Sequence, residues 1–208
     1  MKKSWWVMLF LSVAIMLPFV IPYLTLNPAS SRIAISSLTM QYPAIVGHIA
    51  LAFIALIAGF FQFHKAIRKN KPSLHARLGK AYVYSVFASG GLALVVTCYE
   101  PDYGRALSFL FLDLLWLITT AMGYRSAVNK NWQAHKQWMI RSFAMTLTAV
   151  SARAMVPLLF LVYLLLHRFT LPEGRTGMIE EVLDNNIWAA LLVNFIIVEW
   201  IMRRRGHE

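Results

Sequence analysis

The residues with chemical capacity in this 208-residue chain are few, and most sit inside apolar surroundings. His48 and Gln62 bracket Ala52, Ala55 and Gly59, and at about 100° per residue all five fall within roughly 80° on one helix face. Two polar groups separated by small side chains let a neighbouring helix, or a flat cofactor, come close to the backbone. A plain helix–helix seam with a hydrogen-bonded His48 has the same pattern. A second polar face contains His135, Met139, Ser142, Thr146, Ala149 and Arg153. Arg153 lies roughly 15–20 Å along the helix from Arg141, too deep to reach water on that side. A buried arginine needs a carboxylate or an anionic ligand. Asp113 is the expected partner at similar depth, on a face shared with Thr120 and Tyr124. Glu199 sits at a depth that suits Arg141. Both pairs can be structural neutralisation; alternatively, Arg153 holds an acidic ligand group, such as a haem propionate or a quinone-like head.

His64, His75 and His135 gather towards one side and are candidate ligands for haem or a transition metal. Histidines in a basic loop are equally well read as solvated. The spacing argues against a stacked two-haem arrangement on one helix. His48 and His64 are sixteen residues apart and point roughly 160° away from each other. Gln62, fourteen residues after His48, is a poor haem ligand, and His48 and His135 fall at opposite ends of their segments. Haem b therefore remains an alternative that needs His64 or His75 to pair with His135. His167 and His207 receive no role. Cys98 is the single cysteine, which excludes an intrachain disulfide and argues against a thiolate cluster. No HExxH, nucleophile elbow, phosphate-binding loop or paired catalytic carboxylates occurs. An enzyme using an inner-interface histidine site is a further alternative.

These groups must be positioned by membrane helices. The chain is 59% hydrophobic, against about 45–50% apolar for a soluble domain, and the excess is grouped in runs. Roughly 20 apolar residues cross a bilayer. The expected fold class is an all-α, polytopic transmembrane bundle of six helices, about 5–26, 43–64, 81–99, 105–124, 137–167 and 186–202. It forms one domain over 1–208, with short loops and no separate soluble catalytic domain. The first segment reads as an uncleaved helix kinked at Pro18 and Pro22, since no small-x-small cleavage site follows it.

The net charge of +11 comes from basic residues at segment ends. Fifteen of the twenty lysines and arginines fall on one side, counting Lys2 and Lys3. Four fall on the other, and Arg153 lies within the membrane. The positive-inside rule then places both termini in the cytoplasm. The charge matches anionic lipid headgroups and not nucleic acid, for which no basic, aromatic-interleaved face exists outside the membrane. Trp5, Trp6, Tyr42, Tyr99, Tyr103, Trp132, Trp138 and Trp200 are placed as interfacial anchors. A membrane-protein partner or homo-oligomer is compatible with the small-residue seams.

Three strings, HIALAFIALIAGFFQF (48–63), LHARLGKAY (74–82) and AHKQWMIRSFA (134–144), followed by Arg153, resemble a family of predicted bacterial membrane proteins catalogued as domain of unknown function 2306. The resemblance covers about 48–157. It implies a multi-pass protein of the bacterial inner membrane with polar positions at His48, Gly59, Gln62, His75, Gly79, Tyr82, His135, Trp138, Met139, Arg141 and Arg153. Where the family pattern has an arginine after the loop histidine, this chain has Ala76, with Arg77 one place later. The expected role is binding of a small ligand or partner, or transport or assembly, through a His/Arg polar core: His48, Gln62, His75, Asp113, His135, Arg141, Arg153 and Glu199.

Overall fold

The structure is a computed structural model that describes residues 3–206; Lys2 and His207 lie outside the described residues. Among the described residues seven α-helices follow one another: α1 (Lys3–Leu24), α2 (Gln41–Gln62), α3 (Lys65–Asn70), α4 (Pro72–Thr97), α5 (Tyr103–Val128), α6 (Trp132–Leu166) and α7 (Gly174–Gly206). A single 3-10 turn, Pro28–Ser30, follows α1. No strand occurs among the described residues. Six helices, all but α3, are long and apolar enough to cross a membrane. Their outward faces carry exposed Phe10, Leu11, Leu158, Leu161, Phe195 and Ile196, the surface lipid solvates.

Polar signals set the helix starts. Pro72 occupies the first turn of α4, where its missing N–H costs nothing. Asp102 caps α5 by accepting from the Arg105 N–H at 2.6 Å, and Asn131 caps α6 by accepting from the Ala134 N–H at 3.1 Å. Several helices outrun the apolar stretch that announced them. α4 starts nine residues before the expected 81, so His75 lies on a helix and not in a loop. α7 starts twelve residues before the expected 186 and carries Glu180, Glu181 and Asp184 in its first turns. At 1.5 Å per residue, α6 is about 50 Å long, well beyond the roughly 30 Å hydrocarbon core. Hydropathy marks only the part of a helix that lipid must solvate, and polar ends continue the helix into water.

α2 packs along α4, α5 along α6, and α6 along α7. Ala55, Leu56, Phe60, Val86, Trp116, Phe143 and Met145 form the centre of the core, closed by Leu9 from α1 and Leu191 and Val198 from α7. Small residues set the close approaches. A methyl group added at Gly59 would collide with the Phe143 ring, and one at Gly90 would lie 2.6 Å from a Leu117 methyl. α6 and α7 are also joined by polar groups. Asn194 donates to the Ala144 carbonyl at 3.1 Å and accepts from the Ser151 hydroxyl at 2.9 Å. Arg141 grips Glu199 through two bonds, Nε–Oε1 at 2.8 Å and Nη2–Oε2 at 3.2 Å, and its guanidinium lies 4.9 Å from the Trp138 ring centre. This pair is a structural tie, as its depth suggested.

Candidate functional site

The polar residues inside the bundle form a septum with one cavity on each side. The septum lies where α4, α5 and α6 meet, and its members Tyr82, Thr120, Ser142, Thr146 and Trp116 are all buried. Trp116 Nε1 donates to Thr146 Oγ1 at 2.9 Å. Tyr82 Oη lies 2.8 Å from Thr146 Oγ1 and 2.7 Å from Ser142 Oγ. Thr120 Oγ1 lies 2.6 Å from Ser142 Oγ and donates to the Trp116 carbonyl at 2.7 Å.

Counting donors fixes the direction of these bonds. The indole N–H can only donate and the carbonyl can only accept. Each hydroxyl has one proton, so the chain runs from Trp116 N–H to Thr146, Tyr82, Ser142, Thr120 and back to the Trp116 carbonyl. Every hydroxyl then gives one bond and receives one. The remaining contact, from Thr146 Oγ1 to the Ser142 carbonyl at 3.2 Å, is the longest and is left over. A fully satisfied ring of this kind rigidifies a buried site.

On the side of the chain's lysine- and arginine-rich loops lies a cavity of about 70 Å³, lined by Gly59, Gln62, Arg68, His75, Tyr82, His135, Lys136 and Met139. Gln62 Nε2 donates to the His75 carbonyl at 2.7 Å, which fixes the end of α2 on α4. His135 Nδ1 lies 2.8 Å from the Gly123 carbonyl; an oxygen there can only accept, so Nδ1 carries the proton. His75 Nδ1 is buried without a partner. His64 is not part of this lining. It packs on Trp5, ring centres 4.9 Å apart.

On the opposite side lies a cavity of about 510 Å³, within the range of small-molecule sites. His48, Arg32, Gln41, Asp113, Thr146 and Arg153 all line it, beside apolar Val20, Ile49, Leu56 and Met145. His48 Nδ1 is 3.1 Å from the Ser89 carbonyl and 2.9 Å from its hydroxyl, and that hydroxyl donates to the His48 carbonyl at 3.1 Å. The carbonyl again places the proton on Nδ1, so the lone pair is on Nε2. The Gln41 amide is committed to Ser36 and Ala34: its oxygen accepts from the Ser36 N–H and its nitrogen donates to the Ala34 carbonyl.

The expected ion pair between Arg153 and Asp113 is not formed. Arg153 Nη1 donates to the Ala149 carbonyl one turn back at 2.8 Å, and its guanidinium lies 4.3 Å from the Phe19 ring centre. Both carboxylate oxygens of Asp113 are buried without a hydrogen bond, one of them packed against Gly90 of α4. Shared depth was the sequence argument, but Arg153 turns towards α1 and Asp113 towards α4. Tyr124, placed on the Asp113 and Thr120 face, is exposed. Arg32, one of the four basic residues on the sparsely charged side, has its guanidinium 4.7 Å from the same Phe19 ring and donates to the Pro18 carbonyl at 2.9 Å. Among the described residues, neither Arg32 nor Arg153 has a carboxylate within ion-pair distance. The third arginine of this cavity, Arg105, is neutralised by Glu100 at 3.0 Å and Asp184 at 3.4 Å.

The smaller cavity is far below the volume a porphyrin requires, so His75 and His135 do not sandwich a haem there as arranged. No group of three or more histidine, cysteine or acidic side chains able to hold a metal ion occurs among the described residues. No curated protein and no solved structure matches the chain. The family described as Predicted membrane protein (DUF2306) matches residues 45–202, about three quarters of the sequence and beyond both ends of the stretch the three strings covered. The chain is a member of that family of predicted membrane proteins.

Proposed function

We propose that this protein binds an anionic, largely apolar small molecule in the larger cavity. Arg153 and Arg32 hold the acidic head, and the apolar wall of α1 and α2 receives the body. One observation carries the reading: two guanidinium groups lie against the same Phe19 ring with no carboxylate in ion-pair distance of either among the described residues. Arg153 is part-buried and Arg32 is exposed, and an anion in contact with both guanidinium groups supplies the counter-charge that neither has among the described residues. Asp113 is complementary to a hydroxyl or amide on the same ligand. By the positive-inside rule the rim with Arg68 and Lys136 faces the cytoplasm of a bacterial inner membrane, and the ligand cavity lies towards the other leaflet.

The test is thermal stability of the detergent-purified protein with hexadecanoate or hexadecanol, which differ in the acidic group. Stabilisation by the carboxylate alone, lost in Arg153→Leu, is the expected result. Equal effects of the two probes on wild type and variant would overturn the reading.

A second reading has its own observation. The proton on His48 Nδ1 is held by Ser89, as backbone carbonyls commonly hold metal-ligating imidazoles, and Nε2 has no hydrogen-bond partner among the described residues. A haem b in the larger cavity would take His48 as an axial ligand and place its propionates at Arg153 and Arg32. Visible spectra of oxidised and dithionite-reduced protein decide it. Sharp α and β bands that vanish in His48→Ala support haem, and a featureless spectrum after haem supplementation removes it.

A further inference from the structure

The smaller cavity is a separate site from the proposed ligand cavity, with the Tyr82 ring between them, and its chemistry differs. Its charged and titratable lining groups are Arg68, His75, His135, Lys136 and Tyr82, whose hydroxyl is committed to Ser142 and Thr146, and no carboxylate lines it. Two are fixed cations at its rim, both exposed. Two are imidazoles deeper in, and His75 Nδ1 is buried with no hydrogen-bond partner. The His135 ring is oriented by its bond to the Gly123 carbonyl, so its second nitrogen is the one free to meet a ligand. Gln62 does not compete, because its amide nitrogen is committed to the His75 carbonyl.

From these residues we infer that the smaller cavity is an oxyanion site that takes a phosphate group, held by Arg68 and Lys136 at the mouth and by His75 and His135 within. Size and charge select this class. A volume of about 70 Å³ admits a tetrahedral oxyanion but not a drug-sized molecule, whose sites begin near about 300 Å³. A divalent metal would find two imidazoles, no acidic third ligand and two repelling cations. A phosphate finds two fixed cations and the His75 imidazole, with His135 Nε2 able to donate to it only as an imidazolium because Nδ1–H is committed to Gly123, and no negative group; charge-assisted bonds to phosphate are the strong kind. The site lies at a helix-end level where a phospholipid headgroup and a free phosphate both have access, and both present the same phosphoryl oxygens.

The experiment compares full-length wild type with His75→Gln, Arg68→Gln and Lys136→Gln. Thermal stability is followed against inorganic phosphate, with chloride at matched ionic strength as control. Stability is also followed in nanodiscs of phosphatidylglycerol against phosphatidylcholine. Because Arg68 and Lys136 are exposed, their variants keep the fold and guard against a loss caused by misfolding of His75→Gln. A phosphate-dependent rise in Tm in wild type, with affinity at least ~10-fold weaker in the variants as expected for lost charge-assisted bonds, supports a free-phosphate site. Stabilisation by phosphatidylglycerol alone, lost in the same variants, supports a lipid-phosphate site. Equal responses of wild type and all three variants to both phosphate sources would overturn the inference. So would stabilisation by zinc with no response to either phosphate source.

Discussion

Arg32 and Arg153, 121 positions apart in the sequence, meet at a single ring: their guanidinium carbons lie 4.7 and 4.3 Å from the centre of Phe19. Cation–π contact contributes roughly 0.5–2 kcal/mol per pair. That does not replace an ion pair for two like charges beside an apolar cavity. The relationship is what turns a buried arginine, an ambiguous feature on its own, into half of an anion clamp. Arg153→Leu is therefore predicted to weaken binding of a long-chain carboxylate by ~10-fold or more, as for loss of a charge-assisted bond. Cys98→Ala, at an exposed position, is predicted to leave binding unchanged. Titration of both purified variants with the same probe checks this.

The septum predicts an uneven response to removing single hydroxyls. Tyr82→Phe takes away the link between Thr146 and Ser142 and leaves two buried hydroxyls each short of a partner. The expected loss is about 1–3 kcal/mol. Thr119→Val also deletes a buried hydroxyl, but that group only back-bonds to Leu115 and Trp116 in its own helix, so the loss is smaller. Unfolding of both variants in one detergent gives the comparison, and equal losses would contradict the ring.

Glycines of α2 and α4 are predicted to separate by their surroundings. Gly59→Ala forces its methyl into the Phe143 ring and is expected to cost about 1–3 kcal/mol by overpacking. Gly91→Ala meets nothing within 4 Å and is expected to be neutral or stabilising by up to about 1 kcal/mol from helix propensity. Melting temperatures of the two variants check the sign of each.

The tie between α6 and α7 is open to a double-mutant cycle. Arg141→Gln and Glu199→Gln each break the two-bond pair. The two side chains are 25% and 30% exposed, so solvent screens the pair and a coupling of about 0.5–1 kcal/mol is expected. Strict additivity would show that the pair contributes nothing to holding α7.

Hydropathy made the six membrane helices legible, because lipid demands an unbroken apolar run. It did not show that α4 begins at Pro72 or α7 at Gly174, since those turns lie where water satisfies polar side chains. The Arg141–Glu199 pair was legible because depth and charge sufficed for two facing helices. The same argument failed for Arg153 and Asp113, whose contact depends on helix rotation: Arg153 faces Phe19 and Asp113 faces Gly90. Tyr82 was flagged by family resemblance alone, whereas Gly59 also stood on the helix face of His48 and Gln62. Arg32, Ser89 and Trp116 went unmarked. Only the assembled bundle gives each of them a polar partner or places it beside the cavity.

The most direct measurement of the central claim is mass spectrometry of the ligand extracted from protein purified out of its membrane, for wild type and for Arg32→Gln/Arg153→Gln. The prediction is an anionic, apolar compound retained in near-stoichiometric amount by wild type and lost from the double variant, with both proteins equally folded. An anionic compound retained equally by both, or a bound compound with no acidic group, would contradict the clamp.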